Sequence, residues 1–563
     1  MTPARRQRPA GRTDPRLARA VFLLLLAVYV ATFNGPPGGP DGEVAFQTTS
    51  ALARRGSLAI GGTPEADALV AHARSSPPGG SSVREGRVAG EFYGWFGVGQ
   101  ALVALPLYGL GRGAAELAPG IEAAHGATRR YGVARSEYLA HLFVGLRNPL
   151  LAAWTAASIA TMLGILGSSR RAALAAGLGY GLATFAWPQA RGHASDVQAA
   201  CCFTLGLECW IRARGRVSAR LALGFGCAAA LAFLTRVALA PAVLILDGAF
   251  ALRLWAREPA LEPARRRRLA LLASGPQLLV LLAWLALNQL RFGDALDSGY
   301  GLAVAGGLFG GDPRDALAGL LVSPGRGLLW MAPGLCLLPL GVSRARRERW
   351  GALLRLGLLL ALAVGLPAIF LRGWHGAWSY GPRYLLPALP VLWLLSALAF
   401  QRSDVDRRLR RAVPMLLAAG LLVQLPGVLV DQATHHDLAV RAAPVLLEVE
   451  GATSGPDREA ELFEAMQFDW GFAAPWAHWR ILRHRVSHER SGSGLEERFP
   501  VAEIFRGDSE LVLEPTQERE RGFRHLAWVD LEERLGGSAW LGWILAALLG
   551  LFGGIQAARA LEL

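Results

Sequence analysis

Long apolar runs separated by short arginine-rich stretches set the pattern of this chain. Crossing a bilayer takes about 20 apolar residues. By that measure the pattern predicts membrane helices over 17–33, 138–167, 172–188, 195–212, 219–235, 237–255, 269–290, 327–342, 350–371, 383–400, 412–430 and 537–557, several of them extending a few residues past these limits. No internal repeat and no coiled-coil heptad accompanies them. The expected fold class is therefore an all-α polytopic membrane protein with a bundle of about 12–13 transmembrane helices.

The arginines give the bundle a direction. They cluster at the N-terminus, at Arg170-Arg171, from Arg212 to Arg220, from Arg253 to Arg268, from Arg344 to Arg349 and from Arg402 to Arg411. Basic residues in short loops stay on the cytoplasmic side. Twelve spans with both termini cytoplasmic satisfy every cluster. A further apolar stretch, 96–117, would invert the charge parity downstream if it crossed fully. It is expected to be juxtamembrane or re-entrant, or to be compensated by a second crossing within 119–137. Irregular backbone at membrane depth needs protein or water to cover it, which suits the wall of a cavity.

This topology leaves 34–95, 189–194, the surroundings of Arg236, 291–326, 372–382 and 431–536 on the outer face. The expected organisation is a membrane core over 1–430 with a first outer loop 34–95, an extracytoplasmic region 431–536, and a last membrane helix within 537–563. Within 431–536 the aromatic run from Phe468 through Trp470, Phe472, Trp476 and Trp479 suggests an interfacial lid, since Trp favours the headgroup level.

Composition sharpens this picture. Hydrophobic residues make up 52% and charged ones only 18%, against about 25% in soluble domains. All 58 basic residues are arginine. The net charge of +14 is a topology signal carried by inner loops, and nucleic acid is not an implied partner. The first apolar run has no small-residue cleavage site after it and is expected to be an uncleaved anchor. Cys201, Cys202, Cys209, Cys227 and Cys336 all lie in apolar segments without metal-ligand spacing, as small core residues do.

The unusual polar groups fall on the outer face. Asp41 and Glu43 follow a glycine- and proline-rich turn just beyond the first span, and the turn is expected to break the helix and set both acids at the membrane surface. Arg191, His193 and Asp196 lie between two spans, Arg236 ends another, Arg291 leaves a third, Arg326 enters the next, and His375, Arg383 and Tyr384 precede the span at 383–400. A single boundary arginine is commonly a snorkelling anchor, and a single acid in such a turn is commonly a helix cap. Five outer-face arginines that defy the inner-loop charge rule, together with acids, form a candidate anion site. Arginine suits phosphate because its planar fork donates in pairs and keeps its charge. A carboxylate suits removal of a proton from an incoming hydroxyl. At bilayer depth these groups point to a lipid-linked phosphate, and to transfer of a sugar from a polyprenyl phosphate to a hydroxyl with inversion. A transporter or flippase of a lipid-linked or anionic solute, and an outer-face glycan polymerase or ligase, are the alternatives. Transporters usually carry repeats and mid-span broken helices.

Four stretches carry a family resemblance: Asp41-Gly42-Glu43; Tyr93 to Tyr108 with Gly97, Gly99 and Pro106; Asn288 to Tyr300 around Arg291-Phe292-Gly293; and Tyr380-Gly381-Pro382-Arg383-Tyr384 through Pro387 and Pro390. Together, over roughly 17–430, they resemble the GT-C superfamily of integral-membrane glycosyltransferases, whose members include protein O-mannosyltransferases and aminoarabinose transferases. The resemblance implies a GT-C-like bundle, an outward-facing site, a polyprenyl-phosphate-linked sugar donor, and a lipid, glycan or protein acceptor. Carried over, Asp41 is the base and Glu43 the runner-up or a tuning partner. Glu91 matches a second acid, with Tyr93 beside it. Asp196 matches an outer-loop aspartate, and Arg383 with Tyr384 matches the pair that faces the lipid phosphate. This chain separates its two acids by Gly42 and has no lysine for the phosphate. A divalent cation shared by His193, His375 and the acids is a further candidate, as in some superfamily members, although no ligand spacing supports it.

Overall fold

The computed structural model describes residues 14–35, 39–76, 81–126, 129–130, 133–134, 136–256, 262–300, 307, 309–348, 350–376, 379–404, 406–447, 456–491, 497–516, 522–535 and 540–562. Residues 36–38 of the glycine- and proline-rich turn before Asp41 lie outside the described residues.

The chain opens with α1 (Pro15–Ala31), started by the Asp14 carboxylate accepting from the Arg16 amide. The helix breaks after Ala31, as the sequence predicts, and the chain becomes helical again before the two acids. Proline is tolerated in the first helical turn, where its missing N–H is not needed. Pro40 accordingly begins α2 (Pro40–Arg55), with Asp41 and Glu43 in the first turn and Arg54 and Arg55 in the last, where each charge suits the helix dipole. The expected outer loop 34–95 is thus a folded layer of α2, α3 (Pro64–Ser75) and an antiparallel hairpin of β1 (Val83–Glu85) and β2 (Phe92–Gly94), with Arg84 opposite Tyr93.

The stretch expected to be juxtamembrane or re-entrant is one helix, α4 (Gly99–Leu117), and α5 (Pro119–Gly126) follows it. α4 packs against α2 and α6 (Tyr138–Gly145). The bundle continues with α7 (Arg147–Ile165), α8 (Arg170–Leu182), α9 (Ala186–Ala190), α10 (Ser195–Arg212), α11 (Ala219–Thr235), α12 (Ala240–Ala256) and α13 (Pro263–Phe292).

Among the described residues, six helical stretches are long and apolar enough to cross a membrane: Tyr138–Ile165, Val237–Trp255, Pro263–Phe292, Gly351–Ile369, Arg407–Leu429 and Gly542–Leu561. The protein is an all-α multi-pass membrane protein. Of the other expected spans, 195–212 is one unbroken helix, and several of the rest are shorter or broken. Segment 172–188 divides between α8 and α9, which turn near Pro188. Segment 327–342 divides into Leu328–Met331, a 3-10 turn from Pro333 and Leu338–Arg347. Segment 383–400 opens in a 3-10 turn, Arg383–Leu385, before Leu389–Ala397. Proline at these breaks removes a donor and clashes with the preceding turn. The final helix, Trp540–Glu562, packs along α1.

A single large apolar core joins α1, α7, α8, α10, α11 and the helices through Arg407–Leu429. A second core, built on Leu438, Ala442, Phe472, Ile481, Phe499 and Phe505, belongs to the region after 430. That region is a compact helical subdomain. Arg326 donates to Gln467 at 3.0 Å and Trp374 Nε1 to Glu464 at 2.9 Å, which tie it to the bundle.

Candidate active site at the helix ends

Asp41, Asp196, Arg236, Tyr300, Arg383 and Tyr384 converge from five separate points of the chain. They sit at the start of α2, the start of α10, the end of α11, beyond the end of α13, and before the helix Leu389–Ala397. Close packing brings these ends together. Gly97 lies so near the end of α11 that a Cβ there would come 2.2 Å from the Leu234 carbonyl oxygen. Gln198 bridges the same contact, donating to the Gly99 carbonyl at 2.9 Å and to the Thr235 hydroxyl at 2.8 Å. Gly381, at φ +81°, turns the chain against Phe185 and delivers Arg383.

Asp41 is exposed, and its carboxylate accepts from the Ser82 hydroxyl at 2.7 Å. Asp196 is buried in the first turn of α10 and forms an ion pair with Arg236. The guanidiniums of Arg236 and Arg383 lie 5.8 and 5.1 Å from the Tyr384 ring centre, and Arg383 donates to the Tyr384 hydroxyl at 3.3 Å. Arg383 has no ion pair among the described residues, and its buried Nε has no hydrogen-bond partner. Burial alone would lower its pKa, but Tyr384, Asp196 and Asp41 together raise it. Tyr300 stacks on Trp95, with ring centres 5.2 Å apart. Burial raises its phenol pKa, with Arg236, Asp41, Tyr384 and Arg383 as its charged neighbours. The site thus combines an accessible carboxylate with an arginine that keeps an unused donor.

The remaining candidates have other partners. Arg191 donates to the Thr32 carbonyl at 2.6 Å, the Gly427 carbonyl and Asn34. Arg291 donates to Asn288 at 2.8 Å and to the Gly94 carbonyl, which fixes the hairpin to α13. Arg326 spends donors on Gln467, Ser379 and the Gly381 carbonyl. Charge spacing grouped five arginines, and the structure turns two of them, Arg236 and Arg383, toward the acids. The Tyr93 hydroxyl donates to Glu91 at 2.6 Å and its ring meets Phe292 edge-on. Glu43 is buried against Gln47 and His141.

His193 contacts the Gly35 carbonyl, and His375 stacks on Phe463. Burial first, then Arg326, Arg383 and His436, push His375 down to about 3. No group of three or more His, Cys, Asp or Glu among the described residues is arranged to hold a metal ion. Tyr300, Trp95 and Ser82 went unrecognised as site residues. Only the final tyrosine of the Asn288–Tyr300 motif offered a signal.

No family model matches this sequence, and no curated protein matches it. Among solved structures, the chain is similar to ArnT from Cupriavidus metallidurans in the apo state, at 16% identity over 95% of this chain and 76% of that one, with a TM-score of 0.43. ArnT bound to undecaprenyl phosphate gives 15% identity over 96% and 77%, with a TM-score of 0.39. The oligosaccharyltransferase of Archaeoglobus fulgidus gives 13% identity over 79% of this chain and 59% of that one, with a TM-score of 0.38.

Proposed function

We propose that the protein transfers a sugar from a polyprenyl-phosphate donor to a hydroxyl acceptor at the extracytoplasmic face of the membrane, with inversion. The observation that carries this reading is the convergence, on one cluster of helix ends, of exposed Asp41 and of Arg383, whose buried Nε lacks a partner.

Asp41 takes the acceptor proton as the acceptor oxygen bonds to the anomeric carbon. The bond from that carbon to the phosphate oxygen breaks, and polyprenyl phosphate leaves with the electron pair. Arg383 and Arg236 meet the charge that develops on the phosphate, where fixed donors in a dry site act most strongly. Asp196 holds Arg236 in place, and both guanidiniums lie near the Tyr384 ring. Base and leaving group on opposite faces of the sugar give inversion, as in glycoside hydrolysis.

The charged groups collect at helix ends, away from the arginine-rich loops of the sequence, and not in mid-span. That arrangement favours an enzyme over a carrier. Binding of undecaprenyl phosphate to the purified protein tests the donor side. Arg383→Ala is expected to weaken binding at least tenfold while Asp41→Asn leaves it within twofold. Equal binding by wild type and Arg383→Ala would remove the phosphate from this site.

A further inference from the structure

Glu43 lies on one face of α2 with Gln47, Ser50 and Arg54, at helical spacing. This face is polar, yet it packs inward. Glu43, Gln47 and Ser50 are all buried. The Glu43 carboxylate oxygen accepts from Gln47 at 2.8 Å and lies 3.1 Å from His141 Nε2. One turn before His141 stands Glu137, at φ +53°, a backbone state that costs a non-glycine residue energy and persists only when its surroundings impose it. The Glu137 carboxylate accepts from Ser50 at 2.9 Å and Tyr108 at 2.8 Å, with Arg54 and Arg112 within 3.6 Å. Two buried acids therefore fasten the same face of α2 to α6 and α4.

The protons around His141 decide what Glu43 can do. His141 Nδ1 lies 2.9 Å from the Glu137 carbonyl, which only accepts, so Nδ1 carries a hydrogen. The next proton lies between Nε2 and Glu43, and with it the pair is neutral overall. If Glu43 took another proton from a substrate, an unbalanced positive charge would be left in a buried site, which is costly. Asp41, two residues earlier and exposed, has no such restriction.

We propose that Glu43, through its buried pair with His141, is a positioning residue that fixes the rotation of α2 and so the direction of Asp41. This rests on the glycosyl-transfer reading above, and it reassigns the second acid of the Asp41-Gly42-Glu43 motif from chemistry to alignment.

The test compares Glu43→Ala, Glu43→Gln, His141→Ala and Asp41→Asn in membranes, following discharge of the polyprenyl-linked sugar pool. Thermal stability and undecaprenyl phosphate binding of each purified variant are measured alongside. Glutamine can still donate to a neutral His141 and accept from Gln47. Glu43→Ala and His141→Ala are expected to slow discharge by about 10²-fold with phosphate binding unchanged, as displacement of an aligned group does. Glu43→Gln is expected to recover most of that loss. Asp41→Asn stays inactive. A folded Glu43→Gln as inactive as Asp41→Asn would make Glu43 a catalytic carboxylate and overturn the proposal. Full activity of Glu43→Ala would overturn it as well. If Asp41→Asn discharges the pool normally, the failure lies with the reaction assigned to the site and not with the clamp.

Discussion

Asp196, buried in the first turn of α10, forms an ion pair with Arg236 at the end of α11, and that arginine stands over the Tyr384 ring. Removing one partner of a buried pair leaves an uncompensated charge and costs about 3–5 kcal/mol. Asp196→Asn is therefore expected to lower the thermal midpoint clearly, and Arg236→Gln in the same chain to restore part of it. Melting of the two single variants and the double variant in detergent checks the coupling. Additive losses would show that the pair carries no weight.

Arg383 differs from Arg236 in having no ion-pair partner among the described residues. A lysine keeps the charge but lacks the planar fork. Arg383→Lys is expected to lose about 10²-fold in turnover, the scale seen when one fixed donor is removed from a developing anion. Its stability should stay near that of wild type. Turnover within threefold of wild type would count against a direct phosphate contact.

The seam between bundle and subdomain predicts a pH response. Burial is the first cause that pushes His375 and His478 down to about 3 and His436 down to about 4, with Arg326 adding to each. The unfolded chain titrates these groups near the ordinary histidine value, so it binds more protons than the folded state as pH falls. Stability is then full above about pH 6.5 and declines below it, by about 1.4 kcal/mol per histidine for each unit until the folded values are reached. Limited proteolysis between pH 8 and 5 should release the subdomain at the acidic end. Equal resistance at both ends would contradict the neutral seam.

Much of the architecture is readable from the sequence because lipid leaves few alternatives to apolar helices, and arginine marks one side of them. Asp41, Asp196, Arg236, Arg383 and Tyr384 stood out for the same reason, as polar groups at helix ends. The helical state of α2 was not readable, because the glycines and prolines before Asp41 argue for a turn until Pro40 is placed in the first helical position. Spacing also cannot show that Arg191, Arg291 and Arg326 spend their donors on carbonyl oxygens and side-chain amides. The partner of Glu43 is 98 residues away at His141, a contact that local pattern does not encode.

Gly97 makes a structural prediction. A Cβ there would meet the Leu234 carbonyl, a backbone group that cannot swing aside. Gly97→Ala should push α4 from the end of α11 and cost roughly 1–3 kcal/mol. Because Arg236 follows directly after Thr235, turnover should fall with it. A variant with an unchanged melting point would show that the contact yields easily.

The most direct measurement of the central claim is the lipid-linked sugar pool in membranes holding wild type or Asp41→Asn, extracted and identified by mass spectrometry. Loss of the base should let one polyprenyl-phosphate sugar accumulate while one glycosylated product disappears, with the variant expressed and folded as wild type. An unchanged pool and an unchanged product would contradict sugar transfer at Asp41.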